Sequence, residues 1–401
     1  MAFVVGELSA PITLDDKGFK AGLDSVNKAG KTAAEQVSES FKRTGSQMKD
    51  VGKTLTTRVT LPIAGIGAAA IRAGMGFDTQ MSKVQAISGA TGSDLEALRE
   101  KAKEMGAATR FSATESAEAL EYMALAGWDT QQMLDGLPGV LDLAAAGALD
   151  LGLASDIVTD GMSMFQMEAS EAARMSDVLA TAQAKANTNV EQLGEALKMG
   201  GATAAAASMD IEQTSAILGV LADNGFKGSQ AGTILDNMFR DLRNSAEDGA
   251  IAIGDANIEL YDAQGNMRSL TDIMADVEKA TEGMTGAQRD QALAAVFQSR
   301  SMRGVNAILG TGTDAIYELE EALYNSEGAA GEMAATMEDN LGGSLTELKS
   351  ALEGAAISLY ELGEGPLRSV IDWVTDLVRK FLDMDDSTKQ IIMIIAGLAA
   401  A

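Results

Sequence analysis

The stretch from Asn187 to Phe239 decides the fold class of this chain: NTNVEQLGEALKMGGATAAAASMDIEQTSAILGVLADNGFKGSQAGTILDNMF. Its apolar residues recur at helical spacing, and two glycine-marked turns divide it into three short amphipathic helices. Thr188 followed by Glu191 is a capping-box pattern, in which a hydroxyl oxygen accepts from a backbone N–H while the glutamate reaches back. Asp210 followed by Gln213 predicts the start of the next helix in the same way.

The other helix boundaries of this stretch follow from its glycines. The second helix ends at Asn224-Gly225, because only Gly or Asn enters the left-handed region cheaply. Gly228-Ser229 begins the third helix. The apolar face of the second helix is Ile211, Ser215, Leu218, Leu221 and Ala222, and that of the third is Ile234, Leu235, Met238 and Phe239. No catalytic constellation is visible here, so chemistry alone predicts a helical domain of unknown purpose.

The same stretch resembles the core region of tail tape-measure proteins of long-tailed bacteriophages. The resemblance extends upstream through FDTQMSKV (77–84), ATGSDL (90–95) and FSATESAEALEYMALAGWDTQQMLDGLPGVLDL (111–143). It extends downstream through YDAQGNMRSL (261–270) and GAAGEMAATMEDNLGGSLTELKSAL (328–352). It therefore covers the region from residue 60 to residue 360. Each motif is weak alone, and their order and mutual spacing make the resemblance specific.

The resemblance implies a structural and assembly protein rather than an enzyme. Tape-measure proteins set tail length, occupy the lumen of the tail tube and help to deliver DNA at infection. The implied partners are the tail-tube protein, tail assembly chaperones, baseplate or tail-tip proteins and other copies of the chain, with a host membrane reached through the segment after Ile391. The implied location is the tail lumen of the virion, and the host bacterial cytoplasm during assembly.

Composition excludes several kinds of site. The chain has 401 residues, with no Cys and no His. Structural zinc sites, disulfides, Cys or His nucleophile pairs and a His general base are thereby excluded. We predict no catalytic residues, no metal site and no cofactor. With 4% aromatic residues, 42 Gly and 22 Met, the helices are expected to pack through small side chains and adaptable Met. We expect no secretory signal in MAFVVGELS (1–9), because this stretch lacks a charged n-region and a cleavable apolar run.

Charge divides the chain into unequal parts. The formal net charge is −27, which argues against duplex DNA or an anionic membrane as a surface ligand. Residues 1–58 carry nine basic and seven acidic side chains, a net charge of +2, which leaves −29 for the remainder. We therefore predict three regions: an N-terminal hairpin and helical arm (1–60), a helical core (61–340) and C-terminal amphipathic and apolar helices (341–401).

Apolar and polar residues alternate weakly at the start of the N-terminal region, and the sequence then becomes mainly polar. Phe3–Leu8 and Ile12–Leu14 predict a short β-hairpin. Asp16–Arg58 has a sparse apolar stripe, typical of a solvated helix that packs on a neighbour or of an arm that meets partner copies. Leu61–Gly76 is apolar but is interrupted by Arg72 and is shorter than the roughly 20 residues of a membrane span, so it predicts a packed hinge helix. Small or apolar residues at Gly67, Ala70, Ile71 and Gly74 suit tight helix contact.

Sequence signals for helix starts recur throughout the core region. Their regular spacing predicts a compact multi-helix domain. Further capping pairs are Ser93/Glu96, Ser112/Glu115, Asp129/Gln132 and Thr285/Gln288. A faint repeat relates SATESAEAL (112–120) to NVEQLGEAL (189–197). Each precedes an Asp-x-x-Gln helix that we expect to end in Gly-Val-Leu, at 139–141 and 219–221.

One segment, Ile258–Leu270, interrupts the helical pattern. Two short apolar runs flank Asp262-Ala-Gln-Gly-Asn266, which is turn chemistry for a β-hairpin. A calcium loop is the alternative, but the acidic spacing does not fit an EF-hand.

The C-terminal region begins with Ser344/Glu347, which predicts the cap of a helix running to Leu362. Gly363–Pro366 breaks that helix, and Leu367–Leu382 is amphipathic, with Val370, Trp373, Val374, Leu377, Val378 and Phe381 on one face. Ile391–Ala401 is apolar. We expect the natural protein to continue past Ala401 and become membrane-competent there, and the alternative is that this run packs on the face of the amphipathic helix.

The sequence leaves three functions to weigh, and the first is the tape-measure protein that the resemblance implies. A helix that measures tail length gains about 1.5 Å per residue only where it is continuous. The glycine turns interrupt the helices here, so we predict that this region is a folded core and that the measuring segment lies beyond Ala401. The alternatives are a cell-wall hydrolase and a pore-type membrane protein. Glu118 and Glu121 are available as a carboxylate pair for the hydrolase, but acidic helix faces are usually solvated. Gly225–Ser229 lacks the spacing of a phosphate-binding loop.

Overall fold

The computed structural model describes residues 61–340, 342–358 and 360–361, with side-chain surroundings from residue 70 onward. The chain divides into two compact units, Met1–Ala68 and Ala69–Ala401, and the described residues belong almost entirely to the second. The predicted hairpin at residues 3–14, the arm at 16–58 and the helices predicted after residue 361 lie outside the described residues. The three predicted regions stay predictions.

Short helices joined by tight turns make up nearly all of the described part, which confirms the mostly α fold. They are α1 (Leu61–Ser88), α2 (Ser93–Ala108), α3 (Ala113–Leu125), α4 (Thr130–Ala146), α5 (Leu151–Phe165), α6 (Ala172–Lys185), α7 (Val190–Ala205), α8 (Ile211–Asp223), α9 (Ser229–Ser245), α10 (Leu270–Thr281), α11 (Gly286–Ala294), α12 (Ser299–Thr311), α13 (Asp314–Tyr324) and α14 (Ala329–Glu338). A further helix, α15, covers 342–358. A 3₁₀ turn, Ala169–Glu171, precedes α6.

Helix α8 is the most completely buried helix of the described part. It packs against α6, α7, α9, α12 and α13, and eleven of its thirteen residues are buried. The predicted apolar faces of the second and third helices are buried as expected. The boundaries at Asn224-Gly225 and Gly228-Ser229 are confirmed, with φ values of 86° at Gly225 and 56° at Gly228. The three helices inferred from 187–239 are therefore α7, α8 and α9.

Helices α7 and α9 approach each other through glycine. A Cβ atom added at Gly232 would overlap the carbonyl oxygen of Ala196, and one added at Gly200 would lie 2.7 Å from the carbonyl oxygen of Gly232. Backbone meets backbone at this crossing, so a side chain would force the two helices apart. Because both glycines lie inside helices, they are retained at a cost in helix propensity of about 1 kcal/mol each.

Four of the predicted capping boxes are present, at Ser112/Glu115, Asp129/Gln132, Asp210/Gln213 and Thr285/Gln288. The prediction for Thr188/Glu191 was wrong by one residue. Asn189 is the N-cap of α7, and its side-chain oxygen accepts from the Gln192 N–H at 2.8 Å. Asn is at least as good a cap as Thr, so the adjacent residue takes the role.

Two further capping predictions were wrong because the helix begins earlier than the capping pattern indicated. At α2, Gly92 is the residue before the helix, and Ser93 already lies in the first turn without a capping bond. At α15, Asn340 provides the cap, since its side-chain oxygen accepts from Gly342 at 2.9 Å and Gly343 at 3.1 Å. Ser344 lies inside the helix and its hydroxyl donates to the Asn340 carbonyl oxygen.

The β-hairpin lies upstream of the predicted one. Strands β1 (Ala250–Ile253) and β2 (Ala256–Glu259) pair antiparallel around Gly254-Asp255, with Ile251 opposite Ile258. Gly254 has φ 61°, which suits the first central position of a tight two-residue hairpin turn. The predicted segment at 258–270 supplies part of the second strand, and its turn at 262–266 is closed by a single bridge between Tyr261 and Met267.

Two other expectations about helix ends need correction. Gly139-Val140-Leu141 lies inside α4, five residues before the helix ends at Ala146, so it does not mark a terminus. Helix α1 continues through Gly76 to Ser88. Gly74 does lie at a tight contact, since a Cβ atom there would overlap the Tyr360 ring. Among the helices of the described residues, none is both long and apolar enough to cross a membrane.

Candidate functional site

The carboxylate pair weighed as a catalytic dyad lies on α3, where one member has a structural role. The Glu121 carboxylate accepts from the Gln80 side chain at 2.5 Å and forms an ion pair with Lys83 at 3.4 Å. Both partners belong to α1, so Glu121 connects α3 to α1. Glu118, one turn earlier, is partly exposed. That neither residue is catalytic stays a prediction.

The loop at Gly225–Ser229 has an acidic neighbour where a phosphate loop would need open space. A Cβ atom added at Gly228 would overlap the carboxylate oxygen of Glu195. Lys227 donates from Nζ to the side-chain oxygen of Asn187 at 2.7 Å. A carboxylate near the N-terminus of α9 is favoured by the helix dipole. It also gives the start of this helix a negative charge, which repels phosphate.

The turn weighed as a calcium loop is stabilised by its own backbone. One Asp262 carboxylate oxygen accepts from the N–H groups of Gln264 at 2.9 Å and Asn266 at 2.8 Å. These bonds lower the pKa of Asp262, as expected where N–H groups stabilise the charged form. The carboxylate is therefore engaged in an Asx turn. No group of three or more His, Cys, Asp or Glu placed to hold a metal ion occurs among the described residues.

Carboxylates from distant helices cap the starts of later helices. Asp177 of α6 is buried, and its two oxygens accept from the N–H groups of Gly328 and Ala330, each at 2.8 Å, at the start of α14. Asp241 of α9 is also buried, and accepts from the Gln298 N–H at 2.9 Å and from the Ser301 hydroxyl, at the start of α12. Negative charge at a helix start satisfies orphan N–H groups and complements the dipole.

A third carboxylate completes this set. Glu278 of α10 accepts from the backbone N–H of Thr313 at 2.9 Å and from its hydroxyl at 2.6 Å, at the start of α13. Local sequence patterns predict none of the three, because each cap is 35 to 153 residues away from the helix that it serves. The three carboxylates therefore join separate parts of the chain into one unit.

An ion pair between a half-exposed arginine and a buried glutamate joins α6 to α8. Arg174 donates from Nε and from one terminal nitrogen to the two carboxylate oxygens of Glu212, at 2.7 Å and 2.8 Å. Glu212 is 2% exposed, whereas the Arg174 side chain is 44% exposed. The bidentate geometry with Glu212 raises the pKa of Arg174. This pair fixes the buried helix α8 to its neighbour α6.

An acidic cleft of about 390 Å³ lies between α4, α14 and the start of α15. Burial, together with repulsion from Asp177 and Glu338, raises the pKa of Asp142 to about 6. Burial also raises the pKa of Glu338, although Arg110 lies 3.7 Å from its carboxylate. The cleft can therefore take up a proton near pH 6. The residues that line it include no nucleophile paired with a base.

Comparison with known proteins shows which protein family this chain matches. The model of a family described as phage-related minor tail protein matches residues 99–298, from α2 to the residue before α12. The chain is 35% identical over 396 residues to the tape measure protein of Pneumococcus phage Dp-1, covering 99% of this chain and 34% of that protein. It is 26% identical over 387 residues to a probable tape measure protein of Escherichia phage P2, covering 94% and 47% respectively.

A third relative, a probable tape measure protein of Clostridium phage phiCD119, is 25% identical over 382 residues, or 90% of this chain and 39% of that protein. The chain thus spans between a third and a half of the length of the curated relatives that it matches. No solved structure matches it significantly. The hydrolase and pore-type alternatives gain no support from these relatives.

Proposed function

Because this chain belongs to the phage-related minor tail protein family, we propose that it is the folded core of a tail tape-measure protein. The protein acts as a structural and assembly factor that sets tail length, fills the lumen of the tail tube and assists DNA delivery. The observation that carries this proposal is the similarity of nearly the whole chain to a protein named as a tape measure protein.

The architecture supports a division of labour within such a protein. A rod-like ruler needs a continuous helix that gains about 1.5 Å per residue. The longest helix of the described part is α1, with 28 residues, and the others have 9 to 17. These helices pack against one another within one unit, so their lengths do not add along one axis. We place the ruler outside residues 69–361 of the full protein.

The partners and the location follow from the same role. We propose that the protein contacts the tail-tube protein, tail assembly chaperones, baseplate or tail-tip proteins and other copies of itself. Its place is the lumen of the virion tail, after assembly in the host cytoplasm. The segment after Ile391 is the part that we assign to contact with a host membrane. Fusing that segment to a membrane-insertion reporter tests this last assignment, and failure to insert removes it.

The proposed role does not require the protein to grip DNA. With a net charge of −27, approach to phosphate is repulsive, and protein–duplex affinity depends on cationic side chains that release counterions. The protein would let DNA pass by lining or vacating a passage. A gel-shift assay at physiological salt is expected to show no complex, and tight, salt-sensitive binding would contradict this expectation.

The role is also non-enzymatic. The purified chain is expected to release no sugar from peptidoglycan, and release would favour the hydrolase alternative instead.

Tail length measured by electron microscopy tests the main proposal in the phage that encodes this chain. An in-frame deletion of about 30 helical residues outside the core should shorten tails by about 45 Å, at 1.5 Å per residue. Gly232→Ala, which disturbs the α7–α9 crossing, should reduce the number of tails and leave their length unchanged. Gly354→Ala is the matched control, because a Cβ atom at Gly354 meets nothing within 4 Å. Tails of normal length after the deletion would contradict the proposal.

A further inference from the structure

Helix α15 presents an apolar face to solvent. Leu345, Leu348 and Leu352 are 59%, 55% and 62% exposed, and their spacing of three and four residues puts them on one side of the helix. The opposite side is held by the core. Ile357 is fully buried, and the Ser350 hydroxyl donates to the Arg110 carbonyl oxygen at 3.1 Å. The helix is thus fixed on one side and carries an uncovered leucine face on the other.

The sequence that follows contains a matching apolar face. Around the midpoint between Glu364 and Gly365, each leucine has an apolar partner at equal sequence distance. These partners are Met384 for Leu345, Phe381 for Leu348 and Leu377 for Leu352. Residues at equal distance from a tight turn lie side by side in an antiparallel helix pair, because both helices rise about 1.5 Å per residue.

The break between the two segments has the composition and length that such a pair needs. Gly363-Glu-Gly-Pro366 is four residues long, and antiparallel helices are commonly joined by loops of about two to five residues. Gly permits the chain to reverse after a helix, and Pro is well placed at the start of the next one. The chain length outside the described part therefore suffices to bring the second face back onto the first.

We propose that the leucine face of α15 is the docking surface for residues 367–384 of the same chain, which pack on it as an antiparallel helix. The occupant is a segment of this chain rather than a second copy, because the register of three residue pairs is fixed by one short turn. The inference is independent of the proposed function, since it concerns contacts within one polypeptide and its test needs no phage tail.

Cross-linking in the full 401-residue chain tests this register. The chain has no Cys, so introduced cysteines react without background. Two double variants, L352C/L377C and L348C/F381C, are treated with a short bis-maleimide reagent at low protein concentration. The control is L352C/T375C, because Thr375 lies two residues, or about 200°, around the helix from Leu377. Cross-linked peptides within the monomer are expected at several-fold higher yield in the two test variants than in the control.

The other outcomes overturn the proposal. Equal yield in the control, or no intramolecular product, means that the two faces do not meet in this register. Cross-linked dimers from the single variant Leu352→Cys mean that a second copy covers the leucine face. A second measurement covers variants that fold poorly. Leu352→Asp should speed amide hydrogen exchange in 367–384, whereas Leu125→Asp, at an equally exposed leucine of α3, should not. Unchanged exchange in both variants would also contradict the docking.

Discussion

The interior helices α7–α9 and the outer helix α15 are built from similar residues and have opposite surroundings. In α8, eleven of thirteen residues are buried. In the described residues of α15, Ser350 and Ile357 are the buried ones. Both segments are rich in Ala, Gly, Leu and Glu, so composition does not separate them. The difference is that five helices surround α8, whereas α15 has the core on one side only. Position in the packing, rather than helix propensity, decides which segment is buried.

The largest expected effect on stability comes from substituting a glycine at the α7–α9 crossing, compared with a glycine of α15. Gly232→Ala should lower the free energy of unfolding by about 3 kcal/mol, because the new methyl group meets the Ala196 backbone and the two helices must separate. In α15 the Cβ atom added by Gly354→Ala meets no other atom within 4 Å. This substitution should therefore raise the free energy of unfolding by about 0.5–1 kcal/mol, because Ala has a better helix propensity than Gly. Urea unfolding of both variants measures the contrast. Equal effects would show that the α7–α9 crossing is not tightly packed.

The second prediction tests the ion pair that fixes α8. Arg174→Ala leaves the Glu212 carboxylate buried without its partner and should cost about 2–3 kcal/mol. This value is at the low end for buried ion pairs, because Arg174 is half-exposed and water can reach the site to solvate part of the Glu212 charge once the arginine is removed. Arg240→Ala is the control. It breaks the exposed pair with Asp236 and should cost about 0.5 kcal/mol or less.

A double-mutant cycle completes this test. Adding Glu212→Gln to Arg174→Ala should recover part of the loss, because a neutral amide is less costly to bury unpaired than a charge. Additive losses would indicate that the two side chains do not depend on each other.

The third prediction concerns the cap that Asp177 provides to α14. Asp177→Ala leaves the N–H groups of Gly328 and Ala330 without their acceptor and should cost about 2 kcal/mol. Asp177→Asn keeps one acceptor oxygen and should lose about half as much. Thermal unfolding by circular dichroism checks both variants. A loss confined to α14, seen as faster hydrogen exchange there and nowhere else, would show that this cap does not join the two parts of the unit.

The smallest effect is a pH dependence at the acidic cleft. The pKa of Asp142 is raised to about 6 in the folded protein, so between about pH 4 and pH 6 the folded state binds more protons than the unfolded state. Stability therefore falls as pH rises through this window, and the penalty is complete above it. Asp142→Asn removes the penalty and should raise the unfolding free energy by about 1–2 kcal/mol at pH 7.

The sign of this effect is checked by repeating the comparison in acid. At pH 4 the Asp142 carboxyl group is protonated in the folded state and about half protonated in the unfolded state, so wild type and Asp142→Asn should differ much less than at pH 7. A stabilisation that is the same at pH 4 and pH 7 would mean that the carboxyl group does not titrate in this window.

Local signals in the sequence predicted much of this architecture. Four capping boxes and the glycine turns at Gly225 and Gly228 were readable, because each involves residues within one helical turn. The capping errors at α2, α7 and α15 arose where two polar residues competed for one cap, or where a glycine or an earlier Asn began the helix.

What the sequence did not predict depends on distant contacts. The carboxylate caps Asp177, Asp241 and Glu278 have no local signature, since the helix that each serves is far along the chain. The hairpin at 250–259 was missed because its Gly-Asp turn joins strands of only four residues. The raised pKa of Asp142 likewise comes from burial between three helices, which periodicity does not show.

Amide hydrogen exchange of the intact chain tests most directly whether α8 lies in the interior of the fold and α15 at its edge. Amides of α8 are expected to exchange only through global unfolding, because eleven of its thirteen residues are buried and five helices pack against it. Amides in 342–358 are expected to exchange by local opening at lower free energy, because one side of that helix is uncovered by the core. Equal protection of the two segments, or faster exchange in α8 than in 342–358, would contradict this account.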